Sequence, residues 1–177
     1  MIILVLGTPK SGKSLMAEEL SLALNDSEKY YLATMRVMDQ EGALRVEKHR
    51  KQREGKGFVT IERGREITGA VKDMANPEEA TVLLECVSNL VGNELFETPG
   101  RSRMDADEMS AERFADEMAD EIGKLARAVH HLVIVSSIYP LSDPGYDAST
   151  IRYVTYLHAV NKRLKALVDE VRELRKR

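Results

Sequence analysis

The sequence predicts an α/β fold, a doubly wound and mostly parallel sheet with helices on both faces. Three observations carry that expectation. Short β-rich runs alternate with longer helical stretches along the chain, the pattern that successive βαβ units leave. Three of the runs, IILVL, TVLL and LVIV, are apolar at every position, as strands covered by helices above and below must be. The first run also leads into a glycine-bounded turn and then a helical stretch, GTPKSGKSLM.

The elements follow in order. Strands are predicted at Ile2–Leu6, Tyr30–Thr34, Phe58–Ile61, Ala80–Leu84 and Leu132–Ser136. Helices are predicted at Lys13–Leu24, Asp39–Glu54, Arg65–Met74, Val87–Glu97, Ser110–Val129 and Thr150–Lys176. The last is a long C-terminal helix over 150–176. The stretch ETPGRSRMDADEMS mixes Pro, Gly and charge, so 98–110 reads as a surface loop. Asp107, Glu108, Glu112, Asp116, Glu117, Asp120 and Glu121 crowd the region that follows. They resemble a metal-binding patch, but Phe114, Met118, Ile122, Leu125 and Val129 recur at helical spacing and form the buried stripe. The acids lie largely off that stripe and read as a solvated face.

At 177 residues the chain suits one domain, residues 1–177. With 43% hydrophobic and 31% charged residues, it has enough apolar surface for a core and a well-solvated exterior. A net charge of -3 argues against a protein that grips a nucleic-acid backbone. The lone cysteine, Cys86, excludes an intrachain disulfide and suits a reducing compartment. The longest apolar run, MIILVL, is too short to span a bilayer. The expectation is a soluble, cytoplasmic protein.

Gly7-Thr8-Pro9-Lys10-Ser11-Gly12-Lys13-Ser14 fits G-x-x-x-x-G-K-[ST]. Glycines let the backbone curl so that successive N–H groups converge on one point, where phosphate oxygens sit. The helix that begins at Lys13 adds the positive end of its dipole. Lys13 is placed to reach the β- and γ-phosphates, and the Ser14 hydroxyl to meet Mg²⁺. A glycine turn with a surface lysine would give the same letters. The buried strand before it and the amphipathic helix after it favour a phosphate loop of the P-loop NTPase type, binding GTP or ATP. Such a site needs a carboxylate at the end of a neighbouring strand. Glu85, which closes TVLLE, supplies it. Cys86 reads as a small packed residue.

The segment MDQEGALRVEKHRKQRE places Glu41, Arg45, His49 and Arg53 four residues apart, on one helix face. Guanidinium charge on both sides disfavours the imidazolium and leaves a nucleophilic imidazole. The two arginines are suited to phosphate oxygens. Those are the needs of nucleotidyl transfer through a phosphoramidate. The spacing serves equally well a basic, solvent-facing helix with a Glu41–Arg45 pair and an incidental histidine. His130, His131 and His158 read as structural.

These stretches resemble the bifunctional adenosylcobinamide kinase/adenosylcobinamide-phosphate guanylyltransferase family of cobalamin biosynthesis. The resemblance rests on ILVLGTPKSGKS, on YYLATM followed by LRVEKHRKQR and FVTIE, on TVLLECVSNLVGNELF and on LVIVSS. Asp39, Glu41, Arg45, Val46, His49, Phe58, Thr60 and Glu62 fall in register with the family's most specific motif. The resemblance implies a kinase step, in which a γ-phosphate passes to the hydroxyl of adenosylcobinamide. It also implies a second step, in which His49 takes GMP from GTP and passes it to adenosylcobinamide phosphate. Arg45, Arg53 and Glu62 are then expected to bind nucleotide, and a homo-oligomer is expected.

Specific similarity runs to about residue 136. Beyond it, SIYPLSDPGYD stands where the family has a glutamate and a glycine pair, with Ile138 at the glutamate. In IRYVTYLHAVNKRL only Asn161 matches, with His158 and Lys162 at two other motif positions. The family's closing strand is expected to be missing from VDEVRELRKR. Two other readings therefore stand beside the cobinamide enzyme. One is a diverged P-loop kinase or nucleotidyltransferase with another small acceptor, and the other a non-catalytic nucleotide-binding protein.

Overall fold

The structure, a computed structural model, describes residues 1–24, 28–36, 40–96 and 110–176. Its elements in chain order are β1 (Ile2–Gly7), α1 (Lys13–Ala23), β2 (Glu28–Ala33), α2 (Gln40–Arg53), β3 (Phe58–Glu62), β4 (Ala80–Glu85), α3 (Val87–Phe96), α4 (Ala111–Ala128), β5 (His131–Ser137), α5 (Ala148–Leu167) and β6 (Glu170–Leu174). One six-stranded sheet runs β3-β2-β4-β5-β1-β6, and every pairing in it is parallel.

Alternation along the strands sorts side chains onto two cores. Ile3, Val5, Tyr31, Leu83, Val133 and Val135 face α1, where Ala17, Met16 and Leu20 pack on them. Leu4, Leu6, Leu32, Val82, Leu84 and Ile134 face the other way, onto Leu90 of α3, Phe114 and Ile122 of α4, and Leu164 of α5. Both faces are covered, as the all-apolar strands require. The stripe predicted on α4 is buried, and its helix starts at the Ser110 cap, whose Oγ accepts from Arg113 N at 3.2 Å.

Two predicted helices are corrected. Arg65–Met74 contains a seven-residue 3-10 segment, Ile67–Asp73, instead of an α-helix. Gly69 and the β-branched Ile67, Thr68 and Val71 lower α propensity there. The larger correction concerns 150–176, where the long C-terminal helix ends at Leu167. Val168 is extended (φ -89, ψ 159) and the chain turns into β6, parallel to β1. The strand expected to be missing is therefore present. Its charges, read as a helix surface, fit an edge strand that needs little burial. Ile2 N donates to Asp169 Oδ2 at 2.7 Å and Asp169 N to Ile2 O at 2.9 Å, which fixes the register. Arg172 pairs with Glu170 and Arg175 with Glu173, two residues apart and so on one face. Charges on such an edge oppose further strand addition.

The predicted loop over 98–110 lies outside the described residues except for Ser110, and so do Asp107 and Glu108. No described helix is long and apolar enough to cross a membrane.

Candidate active site

Parallel pairing brings the C-terminal ends of the strands to one rim, where ligands of open α/β sheets bind. Gly7 is level with Ser137, and Ala33 is level with both Glu62 and Glu85. The phosphate loop leaves β1 at this rim. A Cβ on Gly7 would collide with Ser11 Oγ, so the first glycine is needed for the tight entry. Gly12 sits at φ 89, in the left-handed region, as the residue preceding α1. No side chain caps α1 and its first turn has no acid, which leaves its N–H groups for an anion. Lys13 Nζ lies back over the loop, 3.4 Å from Thr8 O. Thr8 is held from outside the loop: its N donates to Leu174 O at 3.1 Å, and its Oγ1 accepts from Lys176 N at 2.9 Å.

Glu85, the last residue of β4, is buried at the middle of the rim. Its Oε1 accepts from Ser14 Oγ at 3.2 Å and from Tyr31 OH at 3.1 Å. Its Oε2 is buried with no hydrogen-bond partner among the described residues. An orphaned carboxylate oxygen beside a phosphate-loop serine is the oxygen donor set a Mg²⁺ ion takes. The Glu85–Cys86 peptide is cis. Thr34 Oγ1 accepts from Cys86 N at 2.8 Å and donates to Cys86 O at 2.7 Å. That fixes the backbone beside the carboxylate. Desolvation pushes the Cys86 thiol above its ordinary range, which fits a packed residue and not a thiolate nucleophile.

Helix α2 brings His49 to the same carboxylate, with Nδ1 3.6 Å from Glu85 Oε1. His49 borders two adjoining cavities. One, of about 220 Å³, lies against Lys13, Ser14, Glu85 and Arg45 and reaches Tyr139 and Tyr153. The other, of about 350 Å³, is bounded by Arg50, Arg53, Thr60 and Glu62. Arg45 thus faces the phosphate side, whereas Arg53 is buried, its guanidinium 3.3 Å from the centre of the Tyr31 ring. Arg53 is therefore not a second free cation flanking His49; one face is given to Tyr31. Its Nη1 is buried without a hydrogen-bond partner among the described residues. Asp39 lies outside the described residues.

On the α5 side, Ile138 N donates to Gly7 O at 2.9 Å, so the altered segment after β5 still closes on the phosphate loop. Asn161 accepts from Ser136 Oγ at 2.6 Å and donates to Ser137 O at 3.1 Å. Tyr153 OH donates to Ser88 O at 2.9 Å, and burial raises its phenol above the ordinary range.

A profile of the family described as cobinamide kinase / cobinamide phosphate guanyltransferase matches residues 3–174. The chain belongs to this family. It is 38% identical over 175 residues to the bifunctional adenosylcobalamin biosynthesis protein CobU of Escherichia coli (strain K12), covering 97% of this chain and 93% of that one. It is 30% identical over 174 residues to the protein of the same name from Salmonella typhimurium, again covering 97% and 93%. The RadB recombinase shares the fold alone, with a TM-score of 0.50 at 13% identity over 99% of this chain and 74% of that one. The family match thus runs through the C-terminal third, past residue 136 and to the end of β6. Membership makes the chain a transferase, a cobinamide kinase and guanylyltransferase that draws on nucleotide substrates.

Sequence reasoning missed three residues that hold this candidate site together. They are Tyr31 and Thr34, described above, and Asn93 of α3. Asn93 is buried and donates from Nδ2 to Thr34 O and Gly64 O, both at 2.9 Å. The alternation in YYLAT places Tyr31 on the α1 face, but nothing local shows that its hydroxyl reaches β4.

Proposed function

We propose that His49 is the covalent guanylyl carrier and that the loop from Gly7 to Ser14 holds the triphosphate for both reactions. The observation that carries this is the sharing of one carboxylate. Glu85 Oε1 lies 3.2 Å from Ser14 Oγ and 3.6 Å from His49 Nδ1. A triphosphate gripped by the loop therefore runs past the imidazole.

In the kinase step, Lys13 and the α1 N–H groups neutralise charge on the transferred γ-phosphoryl; the acceptor oxygen bonds to the γ-phosphorus in line as the bond to the β,γ-bridging oxygen breaks, the nucleoside diphosphate leaves and the hydroxyl proton passes to solvent. Ser14 and Glu85 would hold Mg²⁺, which supplies charge neutralisation on the phosphate oxygens. In the second step, a His49 ring nitrogen attacks the α-phosphorus and pyrophosphate leaves. The phosphate of adenosylcobinamide phosphate then displaces GMP from the histidine. Arg45 is placed on the phosphate side; Arg53 and Glu62 border the second cavity and are read as nucleotide contacts there. The nucleotide is GTP for the second step, and GTP or ATP for the first. The corrinoid meets the loop from the Tyr139–Tyr153 side. The exposed apolar Leu44 on α2 and Val59 on β3 support a homo-oligomer.

Intact-mass measurement after incubation with GTP and Mg²⁺ tests this reading. The expected result is a gain of one GMP, acid-labile and absent from His49→Ala. Bound GTP without any adduct would overturn it.

A further inference from the structure

The contacts around Glu85 bear on which nitrogen of His49 reacts. An imidazole has two nitrogens that point away from each other, and the one turned to a hydrogen-bond acceptor carries the proton. His49 turns Nδ1 towards Glu85 Oε1, at 3.6 Å. That is slightly beyond hydrogen-bond range, and such contacts tighten when substrate binds. The carboxylate is itself fixed on the same oxygen by Ser14 Oγ at 3.2 Å and Tyr31 OH at 3.1 Å. The Tyr31 ring in turn is braced by the buried Arg53 guanidinium, 3.3 Å from its centre.

We infer that Glu85 and Tyr31 are positioning residues for the covalent step and direct GMP onto Nε2 of His49. This rests on the proposed guanylyl-histidine reaction. The Nε2 lone pair forms the bond to the α-phosphorus while the bond to the α,β-bridging oxygen breaks, and its electron pair leaves with pyrophosphate. The proton stays on Nδ1, and the positive charge that develops on the ring faces the Glu85 carboxylate. In the return step the acceptor's phosphate oxygen bonds to the α-phosphorus, and the N–P electron pair goes back to Nε2. Tyr31 touches no reacting atom. It keeps the carboxylate from rotating away from the imidazole.

The test is NMR of the protein labelled with ¹⁵N-histidine, after reaction with GTP and Mg²⁺, at alkaline pH where phosphoramidates persist. The expected result is one adduct, with ³¹P coupling to Nε2. Coupling to Nδ1 overturns the inference and leaves the covalent reading intact. No adduct at all overturns that reading, and this inference with it. Tyr31→Phe keeps the ring over Arg53 and removes only the hydroxyl. Adduct formation should slow by roughly tenfold or more, the loss of one hydrogen bond to a charged group, with GTP affinity unchanged. An unchanged rate in the folded variant would remove Tyr31 from the assignment. If Tyr31→Phe does not fold, the isomer found on the unaltered protein still decides the role of Glu85.

Discussion

Asn93→Ala reaches the site without touching it. Asn93 donates to Thr34 O and Gly64 O, both at 2.9 Å, and so ties the end of β2 to the segment after β3. Thr34 also holds the Cys86 backbone, and Gly64 borders the cavity of about 350 Å³ beside His49. Truncation removes two neutral hydrogen bonds, each contributing about 1 kcal/mol, and leaves two carbonyls to find water. With the small loss of packing, the expected destabilisation is about 2–3 kcal/mol. For a chain of this length that lowers Tm by about 4–12 °C. Thermal unfolding followed by circular dichroism measures it. The rate of GMP transfer should fall as well, since both walls of the cavity loosen. A Tm within about 1 °C of the parent, with unchanged transfer, would refute the idea that Asn93 braces the rim.

Lys13→Ala removes the main cation of the phosphate loop, and both reactions should fall by roughly a hundredfold or more; steady-state assays with unchanged rates would refute the loop assignment. Asp147 caps α5, its Oδ1 accepting from Thr150 N at 2.8 Å, and that bond holds its carboxyl below the ordinary value of 3.8. Because the folded-state value is the lower one, the stabilisation is complete above 3.8 and fades as pH falls through the folded value. The urea midpoint of Asp147→Ala should therefore lie below that of the parent at neutral pH, and the gap should narrow as pH falls below 3.8; a gap that does not narrow would contradict the cap. Removing residues 170–177 takes away the partner of Thr8 N, and calorimetry should show weakened nucleotide binding; affinity equal to the parent's would mean that the loop holds its shape alone.

Strand ends and helix faces were legible because they are local. IILVL can be buried on both faces only between helices, and GTPKSGKS can serve few purposes after such a strand. The position of Glu85 beside the loop was legible because it is a property of the sheet type. Spacing alone left His49 open between a nucleophile and an incidental histidine, and its proximity to Glu85 was not legible, since Glu85 is distant in sequence and reaches it only through the order β2-β4. Arg53 shows the limit most clearly. Helical spacing put it beside His49, but its guanidinium lies buried over the Tyr31 ring, a contact that spacing along one helix does not show. VDEVRELRKR misled for a related reason. An edge strand is apolar only in part, so its charges repeat much as a solvated helix does, and only the open side of β1 settles the matter.

The contact between β6 and Thr8 makes an early functional motif depend on a strand far downstream in the chain. As the protein emerges from the ribosome, GTPKSGKS is exposed long before the strand that holds Thr8 has left the exit tunnel. The nascent chain is therefore expected to carry a phosphate loop that does not retain nucleotide, and binding should begin only once β6 has emerged. Chains stalled with β6 still inside the tunnel, compared with chains in which it has emerged for retention of a fluorescent GTP analogue, would show this directly. Equal retention would mean that the loop sets without its C-terminal strand. A bulky insertion directly after β6 would, by the same contact, be felt at residue 8.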